Sequence, residues 1–153
     1  MVIRRSNALD GNWEAVYREV AEFRRAAGNS KLKVILATGE LCDPAIVYRA
    51  SMAAIQAGAD FIKTSTGKES VNATLDSSAA MLSAIRDWRD SYGRLVGFKA
   101  AGGIRTTAQA VQYLRLAKAI MGDSFTEPAT FRLGASTLLE DILQNLASVA
   151  LDS

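Results

Sequence analysis

Short continuous apolar runs along the chain alternate with stretches in which apolar residues recur at helical spacing. Val2-Ile3 is a fragment of apolar strand, and Arg4 to Asn12 reads as a polar turn. Trp13, Val16, Tyr17, Val20 and Phe23 then follow the 3.6-residue period of a helix, with Asn12 placed to cap its start and Gly28 to stop it. Lys33 to Leu36 predicts a strand and Thr38-Gly39-Glu40 a turn. Asp43-Pro44 opens a helix through about Ala57, because aspartate suits the N-cap and proline the first helical position. Asp60 to Thr64 predicts a strand, followed by a loop to Thr74 and a helix that turns Met81, Leu82, Ile85 and Trp88 inward before Tyr92-Gly93 closes it. Leu95 to Lys99 predicts the next strand, Thr106 with Gln109 a capping pattern, and Val111 and Leu114 the anchors of the helix behind it. Phe131 to Leu133 is a last short strand, and Leu138, Leu139, Ile142, Leu143 and Leu146 belong to a final helix.

Strand starts near residues 2, 33, 61, 96 and 131 are separated by 31, 28, 35 and 35 residues, the size of a strand-helix unit. Such alternation demands a parallel sheet with right-handed crossovers. About eight units, ~250 residues, close a barrel. With five strands in 153 residues, the pattern predicts an α/β chain that forms a partial (β/α)8 TIM barrel, about the last five strands and their helices, as one segment over residues 1–153. An open doubly wound sheet is the alternative. It would need glycine-rich turns after three separate strands to serve one ligand site, whereas in a barrel every strand's C-terminal end points at the same mouth.

Composition narrows the chemistry. Eighteen basic against sixteen acidic residues leave a net +2, too small and too evenly spread to argue for nucleic acid or a membrane surface. No apolar run approaches the roughly 18 residues of a spanning helix, and Met1 to Arg5 lacks the regions of a signal peptide. Cys42 is the only cysteine, which fits a reducing, cytoplasmic setting. Histidine is absent, which removes Ser-His and Cys-His nucleophiles and the commonest metal ligand. Lysine and carboxylate chemistry remain.

Two lysines stand out. Lys63 ends the apolar run Phe61-Ile62 and enters the hydroxyl-rich turn Thr64-Ser65-Thr66-Gly67-Lys68, and Lys99 closes Leu95 to Phe98 in the same way. A lone lysine near a strand end is commonly a rim residue that snorkels to water. Two on neighbouring strands, about 4.8 Å apart, can present their amines to one cavity. Burial and a like charge both lower a lysine pKa, and the unprotonated amine is the nucleophile that attacks a carbonyl to form a Schiff base. The glycine turns add an anion site. Gly67-Lys68, Gly102-Gly103 with Arg105, and Gly134 with Ser136 each place backbone amides near a helix start, where a phosphate is favoured.

At these residues the sequence resembles the deoxyribose-phosphate aldolase family: Phe61 to Gly67, Gly97 to Thr106 and Phe131 to Ser136 match its motifs in order and at suitable spacing. The resemblance covers essentially the whole chain. It implies reversible retro-aldol splitting of 2-deoxy-D-ribose 5-phosphate into D-glyceraldehyde 3-phosphate and acetaldehyde, with no metal or organic cofactor. It also implies Lys63 as the Schiff-base lysine and Lys99 as the lysine that perturbs it. Gly67, Lys68, Gly102, Gly103, Arg105, Gly134 and Ser136 would hold the phosphate. Family members carry three further strands before this segment, a catalytic aspartate that would fall immediately before Met1, and a C-terminal tyrosine that is not seen here. Two readings are therefore carried forward: an aldolase, or a non-catalytic phosphosugar-binding or self-assembling half-barrel. In either, exposed sheet edges and apolar residues such as Phe61 and Ile35, left beside water, predict a homo-oligomer or association with a separate N-terminal fragment.

Overall fold

The computed structural model describes residues 1–151, with side chains through Ser148. Four parallel strands, β1 (Lys33–Ile35), β2 (Phe61–Lys63), β3 (Gly97–Ala101) and β4 (Phe131–Gly134), lie side by side in chain order. Such an order has no switch point at which the sheet reverses direction. The helices are α1 (Arg5–Leu9), α2 (Trp13–Ala27), α3 (Thr38–Leu41), α4 (Pro44–Gln56), α5 (Leu75–Tyr92), α6 (Thr107–Met121) and α7 (Leu138–Leu151). They also pack in sequence, α2 on α4, α4 on α5, α5 on α6 and α6 on α7. No helix among the described residues is long and apolar enough to cross a membrane.

The core lies between the sheet and this helix layer. Val34, Ile62, Phe98 and Ala100 alternate along β1, β2 and β3, and all are fully buried. Val16 and Val20 of α2, Val47 and Ile55 of α4, and Met81, Leu82 and Ile85 of α5 join them in one cluster. Helix starts are fixed by side chains that accept otherwise orphaned amides. Asn12 accepts from Ala15 N, Asp43 from Ala45 N, Thr74 from Ser77 N and Thr106 from Gln109 N, as the sequence predicts for Asn12, Asp43 and Thr106. Gly93 ends α5 in the left-handed region, φ 70°, which costs glycine little.

Several expectations are corrected. Val2-Ile3 is not a full strand. It forms a single parallel bridge to Ile35, with Ile3 N donating to Ile35 O and Ile35 N to Met1 O, so the sheet has four strands and one added rung. The Arg4–Asn12 turn contains α1, and Thr38-Gly39-Glu40 forms the single turn α3; both helices are too short for a period to reveal them. Strand β3 runs two residues later than expected, so Lys99 sits at its centre rather than its end. On α6 the buried face is Ala110, Tyr113, Ala117 and Met121, one position off Val111 and Leu114, and Tyr113 is buried because its hydroxyl donates to Ala73 O at 2.9 Å. Phe23 is half exposed, and among the described residues of α7 only Leu138 is buried while Leu139, Leu143 and Leu146 are 57–67% exposed.

Phe61 is not left beside water. Its ring occupies the space that Gly97 leaves by having no side chain; a Cβ there would come within 2.3 Å of it. The Lys33 amine and the Arg132 guanidinium cover that ring, at 5.5 and 4.6 Å from its centre, so Phe61 is only 6% exposed.

Candidate active site

Strand register builds the site. Because side chains alternate across a strand, Ile35, Lys63, Lys99 and Arg132, which pair across β1 to β4, project from the face opposite the buried core. Lys63 and Lys99 are direct register partners; the sequence predicts that they lie on neighbouring strands, and the structure supplies the register.

The turn after Lys63 locks this pairing. Thr64 is fully buried: its hydroxyl donates to Ala101 O at 3.0 Å and accepts from Ala101 N at 2.9 Å. Ser65 Oγ also donates to Ala101 O, and Thr64 N donates to Lys99 O at 3.1 Å. The ends of β2 and β3 are thus stapled within two residues of both amines. Gly134 on β4 supplies the remaining room, since a Cβ there would meet the Lys99 side chain at 2.7 Å.

Electrostatics follow from the shared face. Burial lowers the Lys63 pKa below the ordinary lysine value; the Lys99 charge lowers it further, and the Glu69 carboxylate works in the opposite direction. Lys33, two residues before Ile35 on the same face, is lowered too, first by burial and then by Lys99, Arg132 and Lys63. Four cations therefore share one side of the sheet. Reading the sequence missed Lys33 and Arg132, because a charged residue opening or lying within a short strand looks solvent-facing; for Lys33 the available signal was its two-residue spacing from Ile35 on one strand, whereas Arg132 joins the group only through its register with Lys99.

Lys63 opens into a cleft of about 410 Å³ that also gathers Gly67, Lys68, Gly102, Gly103, Arg105, Gly134 and Ser136, every residue expected at the phosphate. Lys99, expected to share a cavity with Lys63, does not line it: Lys99 is at the centre of β3 rather than at its end. Ile104, 3% exposed, pins the turn between Gly103 and Arg105. Gly102, at φ 89°, has the Asn72 side chain within 2.6 Å of where a Cβ would stand, so the turn can pass beneath the β2–α5 loop only as glycine.

The three turns are not equivalent. Among the described residues, the amides of Gly103, Ile104, Ala135 and Ser136 have no protein acceptor, which leaves them for a ligand. Arg105 N and Thr106 N already donate to the Gln109 side chain, at 2.8 and 3.2 Å. The amides beside Gly67 are not free, contrary to expectation: Thr66 N, Gly67 N and Lys68 N all donate to the Glu69 carboxylate at 3.1 Å. Glu69 also went unnoticed in the sequence, although an acid directly after Gly67-Lys68 was the available sign.

The chain is similar to known aldolases in sequence and in fold. A family model described as DeoC/LacD family aldolase matches residues 1–144. The chain is 54% identical to a human deoxyribose-phosphate aldolase over 142 residues, 93% of this chain and 45% of that protein. An apo-form structure from Toxoplasma gondii ME49, ascribed to deoxyribose-phosphate aldolase, superposes with a TM-score of 0.83 at 27% identity, covering 95% of this chain and 57% of that one. A deoxyribose phosphate aldolase from Aeropyrum pernix described as tetrameric gives 0.64 at 25% identity, over 90% and 51% of the two chains. The chain spans about half the length of the curated relatives it matches.

Proposed function

The chain belongs to the DeoC/LacD family of aldolases, and from that premise we propose that it carries the catalytic lysines and phosphate cleft of a deoxyribose-phosphate aldolase. The reaction is reversible retro-aldol cleavage of 2-deoxy-D-ribose 5-phosphate. The neutral Lys63 amine adds to the substrate's aldehyde carbon, water leaves and an iminium forms. The hydroxyl two carbons from the iminium carbon then loses its proton, and the intervening carbon-carbon bond breaks. D-glyceraldehyde 3-phosphate departs, while the bonding electron pair passes into the iminium as an enamine. Protonation of the enamine and hydrolysis release acetaldehyde and restore Lys63. Lys99, held beside Lys63 by register, keeps that amine neutral and assists proton transfer.

The phosphate is read into the cleft, on Gly102, Gly103, Arg105, Gly134 and Ser136, with Gly67 and Lys68 on its third side. Free amides at two turns support that placement. The observation that carries the reading is the register pairing of Lys63 with Lys99 at the edge of this cleft. Borohydride reduction in the presence of acetaldehyde tests it: an N-ethyl adduct on Lys63 is expected. A folded chain that gives no adduct overturns the catalytic role and leaves phosphosugar binding.

We further read the sheet, four strands and the Val2 rung, as the C-terminal part of a (β/α)8 barrel, with residues 1–153 as one segment of it and a cytoplasmic setting. Strand order, helix order and likeness to aldolase structures support the barrel. In this reading the exposed Leu139, Leu143 and Leu146 and the cationic open face are covered either by a second copy or by a polypeptide that supplies the remaining strands. Light scattering at micromolar concentration decides: a stable monomer that unfolds cooperatively sinks the assembly.

A further inference from the structure

The β2–α5 loop binds an anion that belongs to the chain itself. Both oxygens of Glu69 are used: Oε1 accepts from Thr66 N and Thr66 Oγ1, at 3.1 and 3.0 Å, and Oε2 from Gly67 N and Lys68 N, each at 3.1 Å. Three consecutive amides converging on one charge form the kind of concavity that elsewhere holds phosphate. The backbone of Glu69 is tied in as well, because its carbonyl accepts from Asn72 Nδ2 at 2.8 Å. Asn72 Oδ1 in turn lies 3.1 Å from Ser65 Oγ, whose single proton it shares with Ala101 O, and Asn72 packs on Gly102. Displacing Glu69 therefore bears on the residues flanking Lys63 and on the Gly102 turn. The Gly67 and Lys68 edge belongs to the same cleft as the free amides of Gly103 and Ser136, but Glu69 does not line that cleft. As the loop stands, its amides face the carboxylate.

We propose that Glu69 is a specificity-determining residue: its carboxylate is an internal stand-in for the ligand anion, and a phosphate gains the Thr66, Gly67 and Lys68 amides only by displacing it. This rests on the phosphosugar reading of the cleft. A monoanionic carboxylate in solution competes poorly with an identical group that is already tethered, whereas a phosphate dianion brings more charge and three acceptor oxygens. The loop thereby favours phosphate esters over sugar carboxylates. Burial opposes ionisation of Glu69, but the hydrogen bonds from Thr66 and Gly67 outweigh it and hold the carboxyl below the usual carboxylate range, so the stand-in stays charged near neutrality.

Titration of inorganic phosphate, and separately acetate, into the isotope-labelled chain at constant ionic strength tests this by following backbone amide resonances. In the wild type, phosphate should move Gly103 and Ser136 and also Thr66, Gly67 and Lys68, while acetate leaves the last three unmoved. Glu69→Ala should bind phosphate roughly tenfold more tightly, about the worth of one charge-assisted hydrogen bond. Glu69→Gln keeps the shape and an acceptor oxygen but not the charge, and should fall between the two. Phosphate that moves Gly103 and Ser136 but never residues 66–68 overturns the displacement, as does equal or weaker binding by both variants. If no amide of the cleft moves in any variant, the phosphate reading fails and this proposal fails with it.

Discussion

The two faces of the sheet are made from the same short strands and do opposite things. Towards the helices stand Val34, Ile62, Phe98 and Ala100, none with accessible surface, each packed into one cluster. On the other side of the sheet stand Lys33, Lys63 and Lys99, half-buried, and Arg132, exposed, all alike in charge. Burial of apolar area stabilises the first face at roughly 25 cal/mol per Å². The second face works against stability, because like charges repel and desolvation disfavours each of them. The strands are anchored from one side so that the other can hold amines in an environment that water alone would relax.

This contrast makes distinct demands on substitutions. Lys63→Leu should have the largest effect, complete loss of the borohydride-trapped adduct with the fold retained, because a buried apolar chain of similar length avoids desolvating an ammonium. Loss of the circular dichroism signature of the folded chain in that variant would show that the open face also supports the fold. Phe98→Ala, on the opposite side, should cost about 3–5 kcal/mol in chemical denaturation while leaving the adduct on the folded fraction. A cost below ~1 kcal/mol would mean that the helix-facing side is not where stability resides.

Lys99→Leu should shift the pH at which Lys63 is trapped. Lys63 is held below its ordinary value partly by the Lys99 charge. Removing that charge raises the Lys63 pKa part of the way back to the ordinary lysine value, because burial remains, so trapping should shift to higher pH without being lost. Superimposable pH profiles for wild type and Lys99→Leu would refute the division of roles. The same shift has a consequence for folding. Lys33 and Lys63 release their protons at lower pH when folded than when unfolded. Between those two values the unfolded chain binds more protons, so stability should rise with pH there. The smallest effect is expected at the cleft's rim. Thr106→Ala removes the acceptor for Gln109 N and should cost about 1 kcal/mol in denaturation with trapping unchanged.

Local chemistry made much of this legible in the sequence. The alternation of strands and helices, the caps at Asn12, Asp43 and Thr106, and the stop at Gly93 depend on a few adjacent residues whose preferences act over one turn. The two lysines were legible for a related reason: a charge closing an apolar run is costly wherever the chain goes. Tertiary structure alone decided which partners each group meets. Phe61 is covered because Lys33 and Arg132 arrive from two other strands and Gly97 leaves a space beneath it. Leu139, Leu143 and Leu146 stay exposed although α7 packs on α6, because the buried side of α7 is carried by Leu138 among its described leucines. The Gly67 amides, which looked free, are taken by Glu69 because the loop folds back on itself after two residues. Propensity, capping and periodicity are properties of neighbours along the chain, whereas burial, charge coupling and the occupancy of an amide depend on what the fold brings from elsewhere.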